Sequence, residues 1–105
     1  MKIYVAGPLN DNAVGYLKNV SRMCKVAVEL RKKGHAVFVP CLDLLLGIVA
    51  GDWEYEDYFE NNQAFLEDCD ALYLIGHSPG ADKELKAAEY YGLQIFYRLP
   101  EVPFA

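Results

Sequence analysis

Three observations predict an α/β fold: four short apolar runs, amphipathic stretches of helical period between them, and glycine- or proline-bearing turns at the joints. The runs cover residues 2–6, 36–39, 71–75 and 93–97. Strands that alternate with helices are joined by right-handed crossovers and form a mainly parallel sheet with helices on both faces. The expectation is a three-layer sandwich of Rossmann-like or flavodoxin-like type, with four or five strands in the order 2-1-3-4. With 105 residues, 53% of them hydrophobic, the chain suits one domain spanning 1–105.

The first strand, 2–6, begins almost at the first residue, which suits a central position, and Gly7-Pro8 ends it. A polar loop follows, with Asn12 or Asp11 as N-cap of a helix over 13–33. Tyr16, Leu17, Val20, Met23, Cys24, Ala27 and Leu30 make its apolar stripe, and Gly34 stops it. The second strand, 36–39, closes at Pro40. Residues 41–52 are too apolar for a free loop. Their expected form is a short helix that covers a pocket or meets another subunit.

A helix over 53–69 comes next, with Tyr55, Tyr58, Phe59, Phe65, Leu66 and Cys69 on its apolar face. Trp53 and Tyr55 are either packing residues or a surface for stacking a flat ligand. The third strand, 71–75, runs into the turn Gly76-His77-Ser78. Pro79 suits the first position of a helix capped by Ser78 that ends at Gly92. The fourth strand is 93–97, and Pro100 and Pro103 predict an irregular tail over 99–105.

Two residues do not fit their helices. At about 100° per residue, Asp82, Lys83, Lys86 and Glu89 form one stripe, with Ala81, Leu85, Ala87, Ala88 and Tyr91 opposite. Glu84 falls in the middle of the apolar side, where a carboxylate must find strong partners or shift its pKa. Asn62 is likewise centred on the apolar face of the preceding helix. Each alone fits a buried hydrogen-bond anchor. Together they suggest side chains aimed at one cleft. In the order 2-1-3-4 the chain reverses between strands 1 and 3, and ligands bind at that switch point. The turns at Gly7-Pro8 and at 76–80 flank it, and the second opens a helix N-terminus, which suits an anion.

Composition narrows the partners. A net charge of −5 and a pI near 4.9 argue against nucleic-acid polymers and anionic membranes. A small anion held by backbone amides stays compatible. Three cysteines without paired or Cys-x-x-Cys spacing fit reduced thiols in a cytoplasmic protein. No metal cluster and no dinucleotide Gly-x-Gly-x-x-Gly pattern occurs, so no metal and no cofactor is implied. Because the chain is short for a doubly wound fold, a homodimer or larger assembly is expected.

The strand Lys2-Ile3-Tyr4-Val5-Ala6-Gly7-Pro8, the helix carrying Asn62 before Cys69-Asp70, and Ser78-Pro79-Gly80-Ala81-Asp82-Lys83-Glu84-Leu85 resemble the nucleoside 2-deoxyribosyltransferase-like superfamily. That group includes the 2'-deoxynucleoside 5'-phosphate N-hydrolases and a small bacterial and phage branch. The resemblance covers nearly the whole chain, except residues 41–52. It implies that Glu84 is a nucleophile attacking C1' of a deoxyribose to form a glycosyl ester, the logic of retaining glycosidases. It makes Tyr4 a tyrosine that holds the carboxylate or the sugar. Ser78 and Gly80 match a turn that binds a 5'-phosphate, with Gly7, Pro8, His77 and Ala81 as further binding positions.

The chain departs from this pattern at Asn62, where the family usually has an Asp that orients the nucleophile or protonates the base. An amide can position a group but is no general acid at neutral pH, and His77 is the alternative proton source. The expected function is an N-glycosidase or deoxyribosyltransferase acting on a small nucleoside or nucleoside 5'-monophosphate. A non-catalytic nucleotide-binding module, and a structural domain in which Glu84 is only an anchor, are the other two readings.

Overall fold

The computed structural model describes residues 1–105. Its four strands, β1 (Lys2–Ala6), β2 (Ala36–Phe38), β3 (Ala71–Leu74) and β4 (Gln94–Phe96), form one sheet in the order β2-β1-β3-β4. All three pairings are parallel, with Tyr4 facing Phe38 on one side and Leu72 on the other. The expected order is therefore the observed one, with four strands.

Both faces of the sheet are covered, which is why β1 and β3 read as continuous apolar runs rather than alternating ones. Successive side chains still point to opposite sides. Ile3, Val5, Ala71 and Tyr73 pack with Met23, Ala27 and Leu30 of α1 (Ala13–Lys32). Tyr4, Ala6, Leu72 and Leu74 pack on the other face with Leu66 of α3 (Tyr55–Glu67) and Ala81 and Ala88 of α4 (Pro79–Tyr90). Caps fall as expected on α1 and α4: Asn12 Oδ1 accepts from Gly15 N–H at 2.9 Å, and Ser78 Oγ from Ala81 N–H at 3.0 Å.

Several packing expectations need correction. Leu17 was expected in the core stripe of α1 but is 67% exposed. The helix has 20 residues, roughly 30 Å, against roughly 16 Å for the five-residue β1. Its first turns overhang the carboxyl end of the sheet and have no strand beneath them. On α3, Tyr55 and Phe65 are exposed rather than buried, and Phe65 instead stacks on Phe38 at 4.9 Å. The tail is irregular only beyond its first turn, over 103–105. Residues Leu99–Glu101 form one 3-10 turn and Val102 is buried in the core.

Polar contacts hold that tail in place. Lys33 Nζ donates to the Leu99 and Val102 carbonyls, both at 2.7 Å. Buried His35 lies between the N-terminal ammonium and the Pro103 carbonyl, at 2.9 and 2.6 Å. No helix is long and apolar enough to cross a membrane.

The segment after β2 is a 3-10 turn, Pro40–Asp43, followed by the short helix α2, Leu44–Ala50. A short helix was expected here, and Gly47 explains how it docks. A Cβ at position 47 would sit 1.5 Å from the Tyr58 hydroxyl, so glycine lets the end of that side chain lie against α2. The outward face of α2 carries exposed Leu45, Leu46, Ile48 and Val49.

Candidate active site

A cavity of about 560 Å³ opens at the carboxyl ends of β1 and β3, the switch point of the sheet. Gly7 and Pro8 form its floor on the β1 side, and Ser78, Gly80 and Ala81 border it where α4 begins. The segment after β2 and one face of α3 close the remaining sides. Its walls thus come from five separate stretches of sequence.

Glu84 points into this cavity from the second turn of α4. The hydroxyl of Tyr4, a residue only 1% exposed beneath the cavity floor, donates to Glu84 Oε2. Tyr4 itself is fixed by stacking on Phe38, with ring centroids 5.4 Å apart. Burial pushes the Glu84 carboxyl up to about 7, the Tyr4 hydrogen bond works against that, and the negative charge of Asp43 adds to it. Burial and then the neighbouring Glu84 charge also raise the Tyr4 phenol, which stays a protonated donor at neutral pH. A carboxyl with these neighbours is held near the border between its two protonation states and aimed at whatever fills the cavity.

Asn62 is 7% exposed and borders the same cavity, so the two misfits of the sequence do converge. Its partner is not Glu84 but Asp43: Asn62 Nδ2 donates to Asp43 Oδ2 at 2.9 Å. Asn62 Oδ1 is buried without a hydrogen-bond partner. Burial raises the Asp43 carboxyl, opposed by this bond from Asn62. The cavity therefore holds two carboxylates on separate elements.

His77 is not brought to the cavity. It is exposed, and its Nδ1 pairs with Asp82 Oδ1 at 2.6 Å on the outer side of the turn. Its place next to Ser78 in sequence misleads because the turn directs neighbouring side chains in opposite directions. Of the two aromatic candidates, Tyr55 borders the cavity, whereas Trp53 packs edge-on against Tyr58 at 4.9 Å.

Three contributors were not singled out from the sequence. Asp43 is the only charged residue between His35 and Asp52, and that isolation in an apolar run is the signal that marks it. Lys83 was placed on the solvent stripe of α4, yet its ammonium lies 5.3 Å from the Tyr55 ring and 4.6 Å from the Phe59 ring, at the cavity edge. Tyr16 reaches the cavity because α1 overhangs the sheet, and no periodicity reports that overhang. No group of three or more His, Cys, Asp or Glu side chains is placed to hold a metal ion.

The first turn of α4 leaves hydrogen-bond donors free, as helix N-termini do. Pro79 has no N–H, Ser78 Oγ takes the Ala81 N–H, and Ser78 O takes the Asp82 N–H. The Gly80 N–H is left without a protein partner, and the Ser78 hydroxyl keeps its proton to donate. A Cβ at Gly80 would approach the Tyr55 ring to 3.2 Å, so glycine lets that ring lie close against the turn.

Comparison with known proteins agrees with this fold. The family described as Domain of unknown function (DUF4406) matches residues 1–97. Among solved structures, a 2-deoxyribosyltransferase from the psychrotolerant bacterium Bacillus psychrosaccharolyticus is 30% identical, with a TM-score of 0.69, over 90% of this chain and 69% of that one. A 2-desoxiribosyltransferase from Leishmania mexicana shares the fold at 18% identity and a TM-score of 0.63, over 90% of this chain and 61% of the other. A search of curated proteins found no match. The chain belongs to the nucleoside 2-deoxyribosyltransferase-like superfamily, within the family described as Domain of unknown function (DUF4406).

Proposed function

We propose that this protein cleaves the N-glycosidic bond of a small 2'-deoxynucleoside or its 5'-monophosphate, with Glu84 as the nucleophile. One observation carries the reading: a carboxylate, bonded by a buried tyrosine, faces a cavity of nucleotide-compatible size at the switch point of the sheet. The Glu84 carboxylate would attack C1' as the base departs, giving a glycosyl ester that water or a second base then resolves. Tyr4 positions Glu84 and stabilises its ionised form. Asn62 is a positioning residue, acting through its bond to Asp43.

The binding assignments follow from chemistry at each wall. Ser78, Gly80 and Ala81 supply hydroxyl and backbone donors for a phosphate, and Lys83 supplies the cation beside them. Gly7 and Pro8 bound the sugar side, and Tyr55 offers a ring face to the base. A phosphate cradle favours a nucleotide substrate, and hydrolysis over transfer between free nucleosides. The reaction so drawn uses no cofactor. Self-association is part of the proposal, supported by the exposed apolar face of α2 at the cavity entrance.

The test is incubation with each of the deoxynucleoside 5'-monophosphates, with free base followed by chromatography. Release from at least one substrate, lost in Glu84→Ala, is expected. Release that survives Glu84→Ala removes the nucleophile assignment. Ligand-dependent melting shifts with no base release from any substrate would point to a nucleotide-binding module instead.

A further inference from the structure

The second carboxylate of the cavity, Asp43, sits where the 3-10 turn after β2 meets α2. It comes from a different element than Glu84, and both border the same space. Asn62, at the α3 position opposite, is buried and spends its amide N–H on Asp43 rather than on Glu84. An amide cannot move a proton at neutral pH, so the side chain it holds is the one available for that work.

We propose that Asp43, held by Asn62, is the general acid and base of this site, protonating the departing base and then activating the water that releases the sugar. The inference rests on the N-glycosidase reading given for Glu84. In the first half, the Asp43 carboxyl gives its proton to a ring nitrogen of the base. The C1'–N bond breaks with its electron pair going to the base, while a Glu84 oxygen bonds to C1'. In the second half, the Asp43 carboxylate takes a proton from water as the water oxygen attacks C1'. The ester C–O bond breaks and Glu84 leaves as carboxylate. Both groups end as they began.

Asn62 suits this cycle better than a second acid would. Its Nδ2 donates to the ionised Asp43, and a half-turn of the amide presents Oδ1 to accept from the protonated form. That oxygen is buried and has no hydrogen-bond partner, so it is free for the exchange. Two carboxylates facing one cavity disfavour double ionisation, and burial raises both groups. With Tyr4 donating to Glu84 and favouring its ionised form, a protonated Asp43 beside it gives one acid and one nucleophile, the pair that this chemistry requires.

The test compares a leaving group that needs protonation with one that does not. Base release is measured from 2'-deoxyguanosine 5'-monophosphate and from its N7-methylated form, whose cationic base departs without an acid, with spontaneous release subtracted. Asp43→Asn is expected to lower kcat/KM on the unmethylated substrate by about 100-fold or more, the scale of general acid catalysis, and to change the methylated one only a few-fold. Asn62→Ala should show the same selectivity more weakly, and Glu84→Gln should lose both substrates. Equal losses on both substrates in Asp43→Asn would make Asp43 a structural anchor and overturn the proposal, as would no loss on either. Wild-type protein that releases base from none of the deoxynucleoside 5'-monophosphates, nor from the methylated one, removes the N-glycosidase reading, and the acid role with it.

Discussion

Replacing Glu84 by Gln should stabilise the protein at alkaline pH while abolishing base release. The carboxyl moves from 4.5 when unfolded to about 7 when folded, so the folded state prefers it neutral. A raised carboxyl contributes fully below pH 4.5, and that contribution is lost as pH rises through about 7. At about 1.4 kcal/mol per pKa unit, burying the charge costs the wild type about 3 kcal/mol at pH 8. Gln keeps an oxygen for the Tyr4 hydroxyl and carries no charge, so the variant escapes that cost. The assay is thermal and urea unfolding of both proteins from pH 4 to pH 8. The two should be within about 0.5 kcal/mol of each other near pH 4, where Glu84 is neutral in both states. The variant should gain progressively above pH 5, reaching roughly 10 °C or more in Tm by pH 8 for a domain of this size. A difference that stays flat across that range would refute the claim that Glu84 is buried as a poised carboxyl. It would place the side chain in solvent instead.

Tyr4→Phe removes the donor that favours ionised Glu84. A hydrogen bond to a charged group is worth about 1.5–3 kcal/mol, so the rising limb of the pH–activity profile should move about one to two pH units to the alkaline side. An unshifted limb would show that Tyr4 does not govern that carboxyl. On α2, the double substitution Leu45→Asp with Ile48→Asp should lower the mass measured by light scattering to that of one chain, with the helix content unchanged. If the wild type already runs as a single chain, the exposed apolar face has another use.

Much of the architecture is legible in sequence because it rests on local chemistry. Gly34, Gly92, Asn12 and Ser78 mark helix ends through capping and turn preferences that act over a few residues. The strand runs are continuous because both faces are covered, and the order 2-1-3-4 follows from handed crossovers. The misfit of Glu84 and Asn62 with their own helices also survives as a signal. A polar residue on an apolar stripe needs a reason whatever the fold.

The partners of those misfits are another matter. Tyr4 and Glu84 are 80 positions apart and Asp43 and Asn62 are 19 apart. No periodicity links them; they meet because the parallel sheet brings the ends of β1, β2 and β3 to one edge. His77 and Lys83 show the converse. Sequence adjacency favoured His77, yet the turn carries it away from the cavity; Lys83 stays exposed, as its place on the wheel has it, and still reaches the rings of α3.

By itself, the sequence determined the class of fold, the caps and breaks of its helices, and the two side chains that do not belong where they stand. Those are properties of neighbouring residues and of the apolar pattern. Only the tertiary structure decided that Asn62 serves Asp43, that Glu84 rests on Tyr4, and that two carboxylates face one cavity. The physical reason is that burial and charge proximity, which set the chemistry of a carboxyl, exist only once distant segments have packed.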